Sequence, residues 1–503
     1  MSVHIAIDLG ATSGRVSYGS LEDGQLTFVE VTRFSNEPIR KNGLLIWNLD
    51  ELFRRSLEGV RAAIKHAEQN GRLQISSIGI DSWGVDFSFV RTADGDALDS
   101  SHYRSASKSY FEFMKNVIPE SVAYSRTGIL GMPINSINRL AELYTSDAAP
   151  RDRSIVLIPD LWVFWLTGVL GAERTIASTT ELLDATTGDW SIEQLTAAGV
   201  PKGALPPVFE TGSVAGRLTP RAAAQVEAEQ SVVVVRVAEH DTASAVLALP
   251  VAPDRPDFAY ISSGSWSLVG QELSAAIVSA EARSAGFTNE QGAFGSTLFM
   301  RNLTGLWLLE ECVREWNASR SEPLAVVDVI SEADTATPFA ALIDVSHPDF
   351  VEQGQTVERI VQHCRDEGFA VPATPGEFAR CILESLALAY RLAIEAAEKL
   401  SGKSSSVIHL TGGGSRSELL CQLTADACDR VVLAGPAEGS SAGNVLVQMI
   451  SAGTIRDTEH ARELMRAASP PKQYEPAPEA QRRWEAAIEW ANGTSAGRKG
   501  VRA

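Results

Sequence analysis

The chain has 503 residues, with 63 Asp and Glu against 44 Lys and Arg, giving a net charge of -19. At roughly 100–200 residues per domain, this length divides into two large or three ordinary domains. The acidic balance speaks against nucleic acid or an anionic membrane as a partner, and no apolar run approaches the ~20 residues that span a bilayer.

The opening stretch MSVHIAIDLG reads as a first core strand and not as a signal peptide, so a cytoplasmic location is expected. In that setting Cys312, Cys364, Cys381, Cys421 and Cys428, which include no CxxC pair, read as reduced core thiols. The sequons at Asn302, Asn317 and Asn492 then carry no glycan.

Residues 3–9 predict a buried strand, Arg15 to Ser20 a second, and Leu26 to Phe34 a third by alternation, with Asp23-Gly24 as a hairpin turn. Asn48 can cap a helix, with Glu51 as the capping-box partner and Asn70-Gly71 as the stop. Ile75 to Ile80 is again a strand, so one unit reads β-β-β-α-β. The second half repeats this grammar. Two short strands flank the Ser-Ser-Gly-Ser turn within Phe258 to Gly270, residues 377–400 form a long helix, and Val407 to Leu410 is a strand leading to a helix near Ser417. The Pro-rich run from Pro250 to Pro256 is the linker candidate, which puts the main boundary near residue 250. The small, polar, basic tail from about residue 491 to 503 is expected to fray.

Four stretches carry chemistry. Asp8-Leu9-Gly10-Ala11-Thr12-Ser13-Gly14-Arg15 offers a small-residue turn whose amides and hydroxyls can approach a phosphate, and Asp8 can serve magnesium. Alone, it reads more readily as a tight hairpin with Asp8 as a turn former. Glu239-His240-Asp241-Thr242 follows a β-branched run, so Asp241 sits at a strand's carboxyl end, where open α/β sheets place ligands. It can be a base for a hydroxyl attacking phosphorus, or a helix cap. Ser262-Ser263-Gly264-Ser265 repeats the first loop's chemistry, and Thr411-Gly412-Gly413-Gly414 allows a base or ribose to lie against the backbone. A Walker A loop is excluded: Gly402-Lys403-Ser404 matches its end, but Ala397 stands at the first glycine position.

These stretches, with SSIGIDSWGVDF, NLTGLWLLEE, LTGGGSRSELL and TADAC, resemble the FGGY carbohydrate kinases from about residue 3 to about residue 475. The resemblance implies an α/β fold of two actin-like ATPase (ribonuclease H-like) domains, near 1–248 and 257–490, with a deep cleft that closes on ATP, Mg2+ and a sugar. It implies phosphorylation of L-rhamnulose to L-rhamnulose 1-phosphate in L-rhamnose catabolism, with Asp241 as base. By position, Ala11, Thr12, Ser13, Gly14, Arg15, Ser265, Glu310 and Gly413 would contact ATP, and Asp8 the metal. Trp83, Gly84, Asp86, His240, Thr242 and Asn302 would border the sugar. The chain departs from the family pattern at Glu310 (often Gln), at Ser105 and Ser107 (Asp and Arg), and at Thr424 (a Cys spaced to Cys428). Another ketose, such as L-fuculose or xylulose, and a non-catalytic ATP-binding module are the alternatives. Monomer and homodimer are both compatible with the sequence.

Overall fold

The apolar opening run becomes β1 (Ser2–Leu9), buried along nearly its whole length. A computed structural model describes residues 2–72, 74–350 and 353–499. β2 (Ser13–Glu22) and β3 (Gln25–Ser35) return antiparallel through the Asp23-Gly24 turn, as the alternation predicts. α1 (Leu49–Gln69) starts where Asn48 accepts the Glu51 amide, but Glu51 turns its carboxylate to Arg54 and Arg55, so only half of the capping box forms. β4 (Gln74–Ser82) lies parallel to β1 with Asp81 opposite Asp8. β5 (Val214–Arg217) and β6 (Val233–Val235) complete a six-stranded sheet in the order β5-β6-β4-β1-β2-β3, and α2 (Asp241–Leu247) follows β6.

A helix from far along the chain, Gly439–Ser451, packs on β1, β4 and α2. Gly443 permits this: a Cβ there would stand 1.9 Å from the Ser244 carbonyl oxygen in α2. The first compact unit is therefore Met1–Ala252, Glu272–Phe299 and Gly439–Pro470, and the second is Pro253–Gln271, Met300–Glu438 and Pro471–Ala503. The first crossing falls at the Pro-rich run, and these contact units divide the chain on a different basis from the sequence domains expected near 1–248 and 257–490. Side-chain packing between residues hundreds of positions apart decides the division, and local composition does not record it.

The second unit repeats the strand pattern. β7 (Phe258–Ser263) and β8 (Trp266–Leu273) form the expected hairpin, and β9 (Thr297–Thr304) flanks it. α3 (Pro375–Ser401) carries a complete Thr374/Glu377 capping box. It ends on Gly402 at φ 71°, so the Gly-Lys-Ser run is a left-handed helix cap and not a phosphate loop. β10 (Val407–Thr411), β11 (Val432–Ala434) and β12 (Lys472–Tyr474) give the order β9-β8-β7-β10-β11-β12 within a seven-stranded sheet, and α4 (Glu418–Cys428) follows β10. The five cysteines are free and buried, as core thiols.

The expected fraying does not begin at residue 491: Asn492 to Lys499 continue the helix Gln481–Lys499, and residues 500–503 lie outside the described residues. Among the described residues, no helix is long and apolar enough to cross a membrane.

Candidate active site

In the first unit, the strand ends gather carboxylates. Asp8, at the end of β1, is buried, and its Oδ2 accepts from the hydroxyls of Ser440 (2.5 Å) and Ser441 (2.7 Å). The Arg15 Nε lies 3.7 Å from the same oxygen. Asp81 is fully buried at the end of β4; its Oδ2 accepts from Asn444 Nδ2 at 2.6 Å, and its Oδ1 has no hydrogen-bond partner. Burial, then the charges of Asp8 and Asp241, push the Asp81 pKa well above the carboxylate range. The donors are carboxylate oxygens, and the unpartnered Asp81 Oδ1 is the kind of hard ligand atom that suits a cation such as magnesium.

Asp241 opens α2 but does not cap it; the N-cap is His240. Its side chain keeps 31% of its surface accessible, so a substrate hydroxyl can reach it. Burial raises its pKa, with the cationic His240 opposing and Asp8 adding to the rise. A carboxylate shifted this way is a stronger base than a free one. A buried polar frame aims the segment. Glu173 Oε2 accepts the Glu239 amide (3.1 Å), Thr175 Oγ1 accepts the His240 amide (3.0 Å), and the Ser82 amide donates to the Glu239 carbonyl (2.8 Å). Arg236 anchors to Asp160 at 2.6 Å beneath them.

Trp83, Gly84 and Asp86 follow β4. The Asp86 Oδ2 accepts from Trp47 Nε1 (2.6 Å) and Trp83 Nε1 (2.9 Å), and Arg139 Nη1 lies 2.5 Å from Oδ1. Asp86 is thus committed to holding the two indoles, which are tilted by 39° with ring centroids 4.2 Å apart. The Gly84 backbone lies against Thr179, which also accepts the Val85 amide. Thr242 is buried and donates to Asp241 Oδ1 at 3.2 Å. The Gly10–Ser13 turn is fastened by Asn36, whose amide donates to the Thr12 carbonyl and whose Nδ2 donates to the Gly10 carbonyl. Thr12 at its tip is exposed, Ala11 and Ser13 are half-buried, and Gly14 is buried.

The second unit presents backbone where the first presents carboxylates. The Gly264 and Ser265 carbonyls accept the amides of Leu306, Gly305 and Trp307, which staples the turn to the NLTGLW stretch. Ser265 Oγ donates to Glu310 Oε2 at 2.9 Å, so these two expected ATP contacts meet each other. Gly412, at φ 80°, and Gly414 are needed for packing: a Cβ would stand 2.7 Å from the Ser263 carbonyl oxygen and 2.1 Å from Ser263 Oγ, respectively. Gly413 has open room, its nearest neighbour 4.0 Å from a would-be Cβ. The triple glycine therefore leaves one position for a ligand, not three. Asn302, the remaining expected sugar contact, is half-buried on β9 in this second unit.

Family models for the FGGY family of carbohydrate kinases match residues 3–248 (N-terminal domain) and 259–452 (C-terminal domain). The chain belongs to the FGGY family of carbohydrate kinases. Its relatives include the rhamnulokinase of Bacteroides thetaiotaomicron, 37% identical with 96% of this chain and 97% of that protein covered. The rhamnulokinases of Enterococcus faecalis (36%; 94% of each chain) and Bacillus subtilis (33%; 94% and 95%) are similar too. Among solved structures, xylulose kinase from Lactobacillus acidophilus aligns with a TM-score of 0.78 at 17% identity over 100% of this chain and 99% of that one. Plasmodium falciparum glycerol kinase with ADP aligns at 0.73 and 14% over 99% and 98%. These FGGY structures share the actin-like fold.

Several residues that contact the carboxylates and His240 escape sequence reasoning. Ser440 and Ser441 reach Asp8 from 432 residues and more away, and their only local signal is a run of small residues in GSSAGN. Glu290, which contacts His240, sits in an unremarked TNEQG stretch.

Proposed function

We propose that this carbohydrate kinase transfers the γ-phosphoryl group of ATP to the primary hydroxyl of L-rhamnulose, giving L-rhamnulose 1-phosphate and ADP. The observation that carries the ketose choice is the similarity to rhamnulokinases at 33–37% identity over nearly the whole chain. Asp241 takes the hydroxyl proton as the oxygen attacks phosphorus, a role that its accessible carboxylate and raised pKa support. His240, Thr242 and the Gly84 backbone hold the sugar, while the Trp47–Trp83 pair stiffens the wall behind Gly84. The Gly10–Ser13 turn and Arg15 take phosphate oxygens through amides, hydroxyls and guanidinium. Ser265 and Gly413 are the nucleotide contacts of the second unit. Asp8 would hold magnesium, which when bound neutralises charge on the phosphate oxygens.

The proposed location is cytoplasmic, and the proposed small-molecule partners are the sugar and ATP. A second ketose is favoured by one observation. Ser105 donates to the Leu45 carbonyl at 3.3 Å and Ser107 meets Ser109 at 2.7 Å, so neither supplies the charge that the family pattern carries there. A coupled ADP-release assay over a ketose panel tests the choice. The highest kcat/KM is expected for L-rhamnulose, and a much higher value for L-fuculose or xylulose overturns it.

A further inference from the structure

Beside the base lies a buried chain of three ionisable groups. Glu290 Oε2 is 3.0 Å from His240 Nδ1, and His240 Nε2 is 3.5 Å from Asp241 Oδ1. His240 and Glu290 are buried, while Asp241 alone reaches outward. We propose that Glu290 is a positioning residue for the catalytic carboxylate, orienting the His240 ring as a cation between itself and Asp241.

The frame that holds this chain is shared. The helix Arg174–Ser178 fastens both ends: Thr175 Oγ1 accepts the His240 amide, and Ser178 Oγ accepts the Gln291 amide (2.9 Å) from the strand that carries Glu290. Each ring nitrogen thus lies within ion-pair distance of a carboxylate oxygen, an arrangement that favours the imidazolium. Burial alone would strip the proton. The Glu290 charge, with those of Asp241 and Glu173, outweighs burial and lifts the His240 pKa from 6.5 to about 9. Burial and the Asp8 charge disfavour the ionised form of Asp241, and His240 favours it. Without a cationic His240, burial and Asp8 would act unopposed and the base would stay protonated to higher pH.

The inference rests on Asp241 being the base, and its test separates the two claims. In the free enzyme, 15N NMR of the ring is expected to show both His240 nitrogens protonated at neutral pH. Titration at or below the ordinary ~6.5 overturns the proposal whatever the activity. In steady-state kinetics with the ketose, Glu290→Gln is expected to move the acid limb of kcat/KM upward by about one pH unit, the usual effect of losing an opposite charge at this range. Glu290→Asp, which restores the charge, is expected to return the limb to within a few tenths of a unit. Equal loss at every pH in both variants, with the limb unmoved, means a purely structural role and overturns it. Should the wild-type enzyme phosphorylate no ketose while the ring titrates high, the functional reading fails and the carboxylate–imidazole–carboxylate chain stands.

Discussion

The two sheets share one plan. In each, an antiparallel hairpin (β1-β2 and β7-β8) leads to two parallel neighbours in succession (β4 and β6; β10 and β11), and an antiparallel edge closes the far side. Equivalent strand ends carry opposite chemistry. Where β1 and β4 end in Asp8 and Asp81, β7 and β10 end in Ser263 and Thr411, followed by Gly264 and Gly412. The same scaffold thus yields an anionic centre in one unit and an uncharged backbone cradle in the other. A carboxylate serves proton transfer and cation binding; a close-packed glycine turn serves phosphate or nucleoside contact without repelling it.

That contrast predicts that chemistry fails on the carboxylate side and nucleotide binding on the other. The largest effect belongs to Asp241→Asn, which is expected to fold and bind ATP while kcat falls by ~10²–10⁴-fold, the usual worth of a general base. Near-normal phosphorylation by that variant breaks the assignment. Asp8→Asn comes next: a magnesium titration of the initial rate should shift to higher concentrations by about tenfold or more, as when a charged ligand is lost, and an unshifted curve counts against it.

On the backbone side, Gly412→Ala forces a side chain into φ 80° and towards the Ser263 carbonyl. Thermal unfolding should register a cost of ~1–3 kcal/mol, and KM should rise for ATP but not for the ketose. An equal rise in both would erase the division of labour. The smallest expected change is for Glu310→Gln, which removes one negative charge beside Ser265. The KM for ATP should fall about two- to threefold as a part-exposed repulsion is lifted; an increase would give Glu310 a positive role.

Stability against pH sharpens the anionic side. His240 is raised from 6.5 to about 9, so its stabilising contribution is complete below pH 6.5 and disappears as pH rises through 9. The unfolding midpoint of wild type should fall over that window relative to a His240→Gln variant. Parallel curves would mean the ring is neutral in the folded protein.

Much of this was legible in sequence because it is local. Alternation, the Asp23-Gly24 turn and the Asn48 cap predict β1 to α1, and the β-branched run before Asp241 places it near a strand end. What stayed hidden is carried by distant partners. Nothing near Asp86 announces that Trp47, Trp83 and Arg139 claim both its oxygens, and nothing near Gly412 and Gly414 announces that Ser263 fills the space above them. A motif says which residue types are present, while the rest of the fold decides which of their atoms stay available.

The helix Gly439–Ser451 bears on how the gene could be cut. It brings the Ser440 and Ser441 hydroxyls to Asp8, Asn444 to Asp81, and Gln448 to Ser77 and the Ile5 carbonyl. A fragment truncated at Ala252 would leave a bare acidic floor with its donors missing. Split-protein or domain-exchange experiments should therefore graft both Glu272–Phe299 and Gly439–Pro470 back onto the amino-terminal piece, joined by linkers in place of the intervening segments.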